Sequence, residues 1–217
     1  GEKKEIAIMH VIREYIVASE KVLFEGDGYS DEWHHEAERR GLPNVRTTPL
    51  ALDAMVTDKA KHLFESNEVL THVELEARHE IELEKYIKKV QIEARIMGEI
   101  CSSHILPSAV KYMNILIKNI QGLKEVGLSA EAYANQKQIL EKIAEHTNKV
   151  SDLVEKMIEA RKVCNAMTDT RTKAISYQSQ VKDAFFDQIR YHVDKLELLV
   201  DDQYWLLPKY REMLFLR

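Results

Sequence analysis

At 217 residues and 25.2 kDa the chain holds one large domain, or a domain with an attached segment. Hydrophobic residues at 45% and charged residues at 31% suit a buried core and argue against disorder, while 7 Gly and 4 Pro are too few for the turns of an all-β fold. Lys and Arg total 31 against 36 Asp and Glu, a formal net charge of -5, which argues against a dedicated nucleic-acid binder; no run of about 18 apolar residues is present to span a membrane.

The 2 cysteines, Cys101 and Cys164, make no disulfide framework, and with no signal peptide the expected compartment is a reducing cytoplasm. The chain opens on Gly1 rather than Met, and a helical pattern is running by Ile6 without a cap before it. A piece cut from a longer polypeptide, with Gly1 an added residue, is the expectation.

Ile6, Met9, Ile12 and Ile16 fall at helical spacing and predict one amphipathic helix over roughly residues 3–24. Gly26, Asp27 and Gly28 are a turn signal. Ser30 caps a short helix with Asp31 and Glu32 in its first turn, and Gly41 ends it. Residues 42–48 read as an ordered loop, and Thr48 with Pro49 opens a helix to about Glu65.

Long helices follow. Thr71 and Glu74 form a T-x-x-E capping box. From there a helix runs to about Gln121, with Leu83, Ile87, Val90, Ala94, Met97 and Cys101 as a coiled-coil-like seam. Pro107 predicts a kink or break near Ser103–Leu106. Residues 122–127 connect to a second helix, about 130–167, capped by Ser129. Its seam is Ile139, Ile143, His146, Val150, Leu153, Met157, Ala160, Cys164 and Met167. A turn near Thr168–Thr170 leads to a third, ending about Val200, with the seam Val181, Phe185, Ile189, His192, Leu196 and Leu199. Short connections make neighbours antiparallel. The fold class is therefore all-α: an elongated antiparallel bundle of three long helices, with shorter N-terminal helices and a short C-terminal helix. The tail from Trp205 carries Pro208 and the apolar cluster Met213, Leu214, Phe215 and Leu216, a pattern that docks on something.

Nucleotide and hydrolase motifs are absent: no G-x-x-x-x-G-K-[ST], G-x-G-x-x-G or G-x-S-x-G occurs. Two Glu-x-x-His pairs, Glu32/His35 and Glu76/His79, each share a helical face as in di-iron bundles, but one sits on a short helix outside the bundle. Solvated surface charge is the plainer reading, given the dense ionic stretch 74–89. Folding the helices about their turns brings His104, His146 and His192 to about one level, all on or beside apolar seams. Three such imidazoles could bind a metal, form a register-fixing polar layer, or stand unrelated and partly exposed. The same register separates Cys101 and Cys164 by roughly 22 Å along the bundle, too far to bridge. Both lie on seams, where a thiol is buried and inert.

A resemblance extends over nearly the whole chain. The runs KVLFEGDGYSDEW (Lys21 to Trp33), EAERRGLPN (Glu36 to Asn44) and TTPLAL (Thr47 to Leu52) resemble the C-terminal region of type III glutamine synthetases. Further similarity lies in ELEARHE from Glu74, Tyr86, IEA from Ile92, PSA from Pro107, and the ending WLLPKYREMLF from Trp205. The resemblance implies an enzyme that condenses glutamate with ammonia through glutamyl phosphate, using ATP and Mg or Mn. It implies large assemblies, typically two stacked hexameric rings, with active sites between subunits in an upstream β-rich catalytic domain. Residues 1–25 would then be the last helix of that domain, 26–48 a connector with a short helix, and 49–217 the helical C-terminal domain. The implied partners are the upstream domain and neighbouring subunits, with no nucleic acid and no membrane.

The family's metal, ATP and glutamate contacts lie in segments outside these residues, so no catalytic, cofactor-binding or metal residue is assigned here. The expected role is assembly or regulation, with no ligase turnover by this chain alone and no cofactor of its own. Two other readings compete: a free-standing helical interaction module whose seams recruit a partner helix, and a metal-binding bundle.

Overall fold

A computed structural model describes residues 3–214 of the chain. Gly1, Phe215 and Leu216 lie outside the described residues. Among the described residues there are helices and turns but no strand, so the fold is all-α. The chain divides into two compact units, Gly1–Arg46 and Thr47–Arg217.

In the first unit, α1 (Lys4–Ala18) is followed by a 3-10 turn, Glu20–Val22, so the helix expected to reach residue 24 tightens and stops early. No residue of α1 is buried. The short helix α2 (Asp31–Arg39) starts where the Ser30 hydroxyl accepts from the Trp33 N–H. It ends in a Schellman turn, in which Leu42 N–H reaches the Ala37 carbonyl and Gly41 N–H the Glu38 carbonyl. Gly41 sits at φ +69°, a left-handed conformation that a side chain would strain. Arg40 then fastens the preceding chain: its guanidinium donates to the carbonyls of Glu20, Lys21 and Leu23 and to the Glu36 carboxylate. Phe24 packs on Trp33 with ring centroids 4.8 Å apart.

The second unit opens with α3 (Thr48–Leu52), a 3-10 turn (Asp53–Val56) and α4 (Asp58–Ser66). The sequence pattern reads as one helix here. It is divided because Thr57 is extended at ψ 151° and its hydroxyl accepts from the Ala60 N–H, making a new N-terminus. The capping box at Thr71 and Glu74 is formed in both directions, at 3.3 and 2.9 Å, and begins α5 (His72–Ile100).

Pro107 does not break the helix that follows. A π turn, Cys101–Ile105, passes α5 directly into α6 (Leu106–Glu125), with Leu106 N–H reaching back five residues to the Cys101 carbonyl. The wider turn makes room for the proline ring and inserts a residue into the seam. A second Schellman turn, with Gly127 at φ +83°, closes α6. Ser129 does not cap the next helix: its hydroxyl binds the Glu131 carboxylate at 2.5 Å, and a 3-10 turn (Ala130–Tyr133) precedes α7 (Ala134–Asn165). Asp169 caps α8 (Thr170–Ser176) through the Thr172 N–H at 2.7 Å. A π segment (Tyr177–Phe186) joins α8 to α9 (Asp187–Leu199). A last short helix, α10, covers Tyr210–Met213.

Three long antiparallel helical rods thus pack together: α5 with α6, then α7, then α8 with α9. Their shared core includes Leu83, Ile87, Val90, Ala94, Cys101, Ile143, Val150, Val154, Met157, Cys164, Val181, Ile189 and Leu196. Burying each large aliphatic side chain stabilises by about 1.5–3 kcal/mol before the ordering entropy is counted. Trp205 and Leu207 of the tail fold back onto this core, and Lys209 anchors them by donating to the Val200 carbonyl at 3.1 Å.

Candidate functional site

The structure brings His146 and His192 together and leaves His104 apart. On facing seams of α7 and α9, the two Nδ1 atoms stand 2.9 Å from each other. Both rings are half-buried, and Tyr191 meets His192 edge-on at 5.1 Å between centroids. Burial, then the positive charge of His146 and Lys149, holds His192 below the usual imidazole range, with Glu145 opposing. His104 is exposed because the π turn displaces it. The buried positions step from Cys101 to Ile105 and on to Ser108 and Ala109, and His104 falls outside that stripe.

The Glu-x-x-His pairs do not converge. Glu76 binds Lys61 at 2.5 Å, whereas His79 turns its Nε2 towards Asp53 at 3.5 Å. Glu32 and His35 are both exposed on α2. The carboxylate engaged on that helix is Glu36, held to about 2 by hydrogen bonds first from Arg39 and then from Arg40. Among the described residues no group of three or more His, Cys, Asp or Glu side chains is arranged to hold a metal ion. These side chains therefore do not fit a Mg or Mn ion.

Both cysteines are buried thiols. Burial pushes Cys101 up to about 11 and raises Cys164, which removes thiolate reactivity near neutral pH.

Two features carry no sequence motif. One is a tie between distant segments: Arg171 grips both oxygens of Asp53, at 2.8 and 2.7 Å, joining α8 to the turn after α3 with His79 beneath. The other is a polar knot in which Tyr177 and Gln91 both donate to the Asn165 side-chain oxygen, at 2.6 and 2.9 Å, while Tyr86 donates to Gln178. Burial pushes the Tyr86 hydroxyl up to about 12, so it is a fixed donor rather than an acid.

Two apolar surfaces remain uncovered. Along α1, Ile6, Ile8, Met9, Val11, Ile12, Tyr15, Ile16 and Val17 are all exposed, Met9 and Tyr15 at 70%. A 15-residue helix with no buried face is marginal in water by itself. On the second unit an open groove of about 510 Å3 is lined by Ile92, Ile96, Ile100, Phe186, Val193 and Leu207. No described helix is long and apolar enough to cross a membrane.

A sequence model of the glutamine synthetase C-terminal domain matches residues 7–124, from within α1 to the end of α6. The chain belongs to this family. It is also similar over 99% of its length to three curated proteins: 42% identical to a glutamine synthetase of Bacteroides fragilis (strain YCH46), 32% to one of Butyrivibrio fibrisolvens, and 29% to a type-3 glutamine synthetase of Dictyostelium discoideum. The chain spans only about 30% of the length of these relatives.

Proposed function

We propose that this chain is the helical C-terminal part of a type III glutamine synthetase, serving assembly or regulation of that enzyme rather than the reaction. Ligation of ammonia to L-glutamate, with ATP and Mg or Mn, then belongs to an upstream β-rich domain, in a cytoplasmic homo-oligomer whose subunits surround these helices. On this reading residues 1–25 end the catalytic domain, 26–48 connect, and 49–217 form the appended bundle.

The observation that carries the reading is α1. Its apolar residues are exposed along the helix and none of them is buried, and exposed apolar surface of that extent marks a contact with another part of a larger protein.

Two measurements test it. The isolated chain, given ATP, glutamate, ammonia and Mg, should release no phosphate above a heat-killed control; turnover would end the proposal. In a full-length relative, replacing the residues aligned with Ile8 and Ile12 by Asp should dissociate the assembly or abolish its activity. A double variant that stays assembled and fully active would remove α1 as the docking element.

A further inference from the structure

We propose that His146 and His192 form a proton-operated clasp between α7 and α9, which holds with none or one extra proton on the pair and opens with two. The geometry points to a shared proton. The Nδ1 atoms are 2.9 Å apart, and the ring centroids 5.2 Å. The difference is about one ring width, so the two nitrogens face each other head-on. A metal ion would need both lone pairs aimed at one point off the line between them. A head-on pair suits one N–H donating to one lone pair.

That requirement makes one ring the donor and the other the acceptor, and the proposal gives the donor role to His146. His146 Nδ1–H donates, and His192 Nδ1 accepts, with the His192 proton on Nε2. A first added proton goes to His146 Nε2 and leaves the bond in place, now donated by an imidazolium and stronger for it. A second can only go to His192 Nδ1. It consumes the lone pair and sets two N–H groups and two positive charges against each other, and the helices must separate at that level.

The surroundings favour this order. The charged groups acting on His192 are His146, Lys149 and Glu145, all on α7. On α9 itself, Tyr191 stands edge-on, with Lys195 Nζ 5.3 Å above its ring. On α6, Lys111 is exposed and Tyr112 stacks on Tyr204; the two π segments contribute His104, Lys182 and Asp183, all exposed. Burial first, and then His146 and Lys149, lower the proton affinity of His192 against the opposing Glu145. A lowered folded value means that the unfolded chain binds this proton more readily. The stability it represents is complete above about 6.5 and is lost as pH falls through the lower folded value.

Imidazole nitrogen shifts of the whole chain, followed by NMR from pH 8 to pH 4, test the clasp. The expected result is His146 as the Nδ1–H tautomer and His192 as the Nε2–H tautomer at the alkaline end. Two midpoints should follow, with that of His192 below the usual imidazole range. In His146→Gln the His192 midpoint should rise, and the melting temperature should fall less between pH 7 and pH 5 than in the parent chain. Both rings in the Nε2–H form, or coincident midpoints, would overturn the proposal. If His146→Gln does not fold, the tautomers and midpoints of the unaltered chain decide alone.

Discussion

Gly98 offers the sharpest test of the packing between α5 and α7. It is a buried glycine in the interior of a 29-residue helix, a position usually explained by close helix approach. The geometry says otherwise. A Cβ built there meets Val154 Cγ1 at 3.7 Å and Met157 Cε at 3.8 Å, both ordinary contact distances. Gly98→Ala should therefore stabilise. Replacing glycine by alanine inside a helix is worth about 1 kcal/mol of backbone preference, and burying one more methyl adds up to about 0.8 kcal/mol. Allowing for small adjustments of Met157, the net is about 1–1.5 kcal/mol, or roughly 2–6 °C in Tm for a chain of this size. Thermal unfolding followed by far-UV circular dichroism measures it. Gly127→Ala is the opposite case: nothing crowds the new Cβ, but φ is +83°, so the loss of about 1 kcal/mol comes from the backbone alone. A fall in Tm for Gly98→Ala would mean that α5 and α7 lie closer than described and would refute this account of the seam.

The other predictions are briefer. Thr71→Ala should cost about 1 kcal/mol by removing the capping box that starts α5, and an unchanged denaturation midpoint would show that this helix end is held by other contacts. Arg171→Met should lower the denaturation midpoint only slightly but speed amide exchange across 49–56, since the bidentate grip on Asp53 is what binds that segment to α8 while both side chains stay partly exposed; unchanged exchange there would deny the tie. Glu36, held to about 2 by Arg39 and Arg40, should keep its ionic contacts as pH falls below 4.5 and lose them only near pH 2; a carboxyl midpoint close to 4.5 by NMR would show that the arginines do not hold it.

Where structure follows from a few neighbouring residues, the sequence was readable. The Ser30 and Thr71 caps, the glycine that closes α2, and the seams of the long helices depend on local chemistry and on a 3.6-residue period. Thr57 is equally local, but Leu50, Met55, Leu63 and Phe64 keep an apolar rhythm across it that masks the break. The π segments were not readable. Pro107 marks a disturbance, but whether the chain kinks, breaks or widens depends on what packs against it, and the answer was widening. Tyr177–Phe186 has no proline or glycine at all, so no single residue announces it. The Asp53–Arg171 grip spans 118 positions and pairs two common ions, a pattern indistinguishable from surface charge until the fold exists.

The histidines show how these two kinds of feature combine. Counting residues outward from a turn assumes a constant rise per residue. Between the α7–α8 turn and His192 the third rod contains the ten-residue π segment, which packs more residues into a given length and absorbs the small excess on that side. The level of His146 and His192 therefore survives. At His104 the error is one of rotation instead. The π turn adds a residue to the repeat, and a single added residue in a helix turns every later side chain by about a quarter of a revolution relative to the seam. Level is insensitive to that change and facing is not. The count could put an imidazole at the right height on each rod, but only the packing of Cys101, Ile105, Ser108 and Ala109 into the core decided that His104 turns outward.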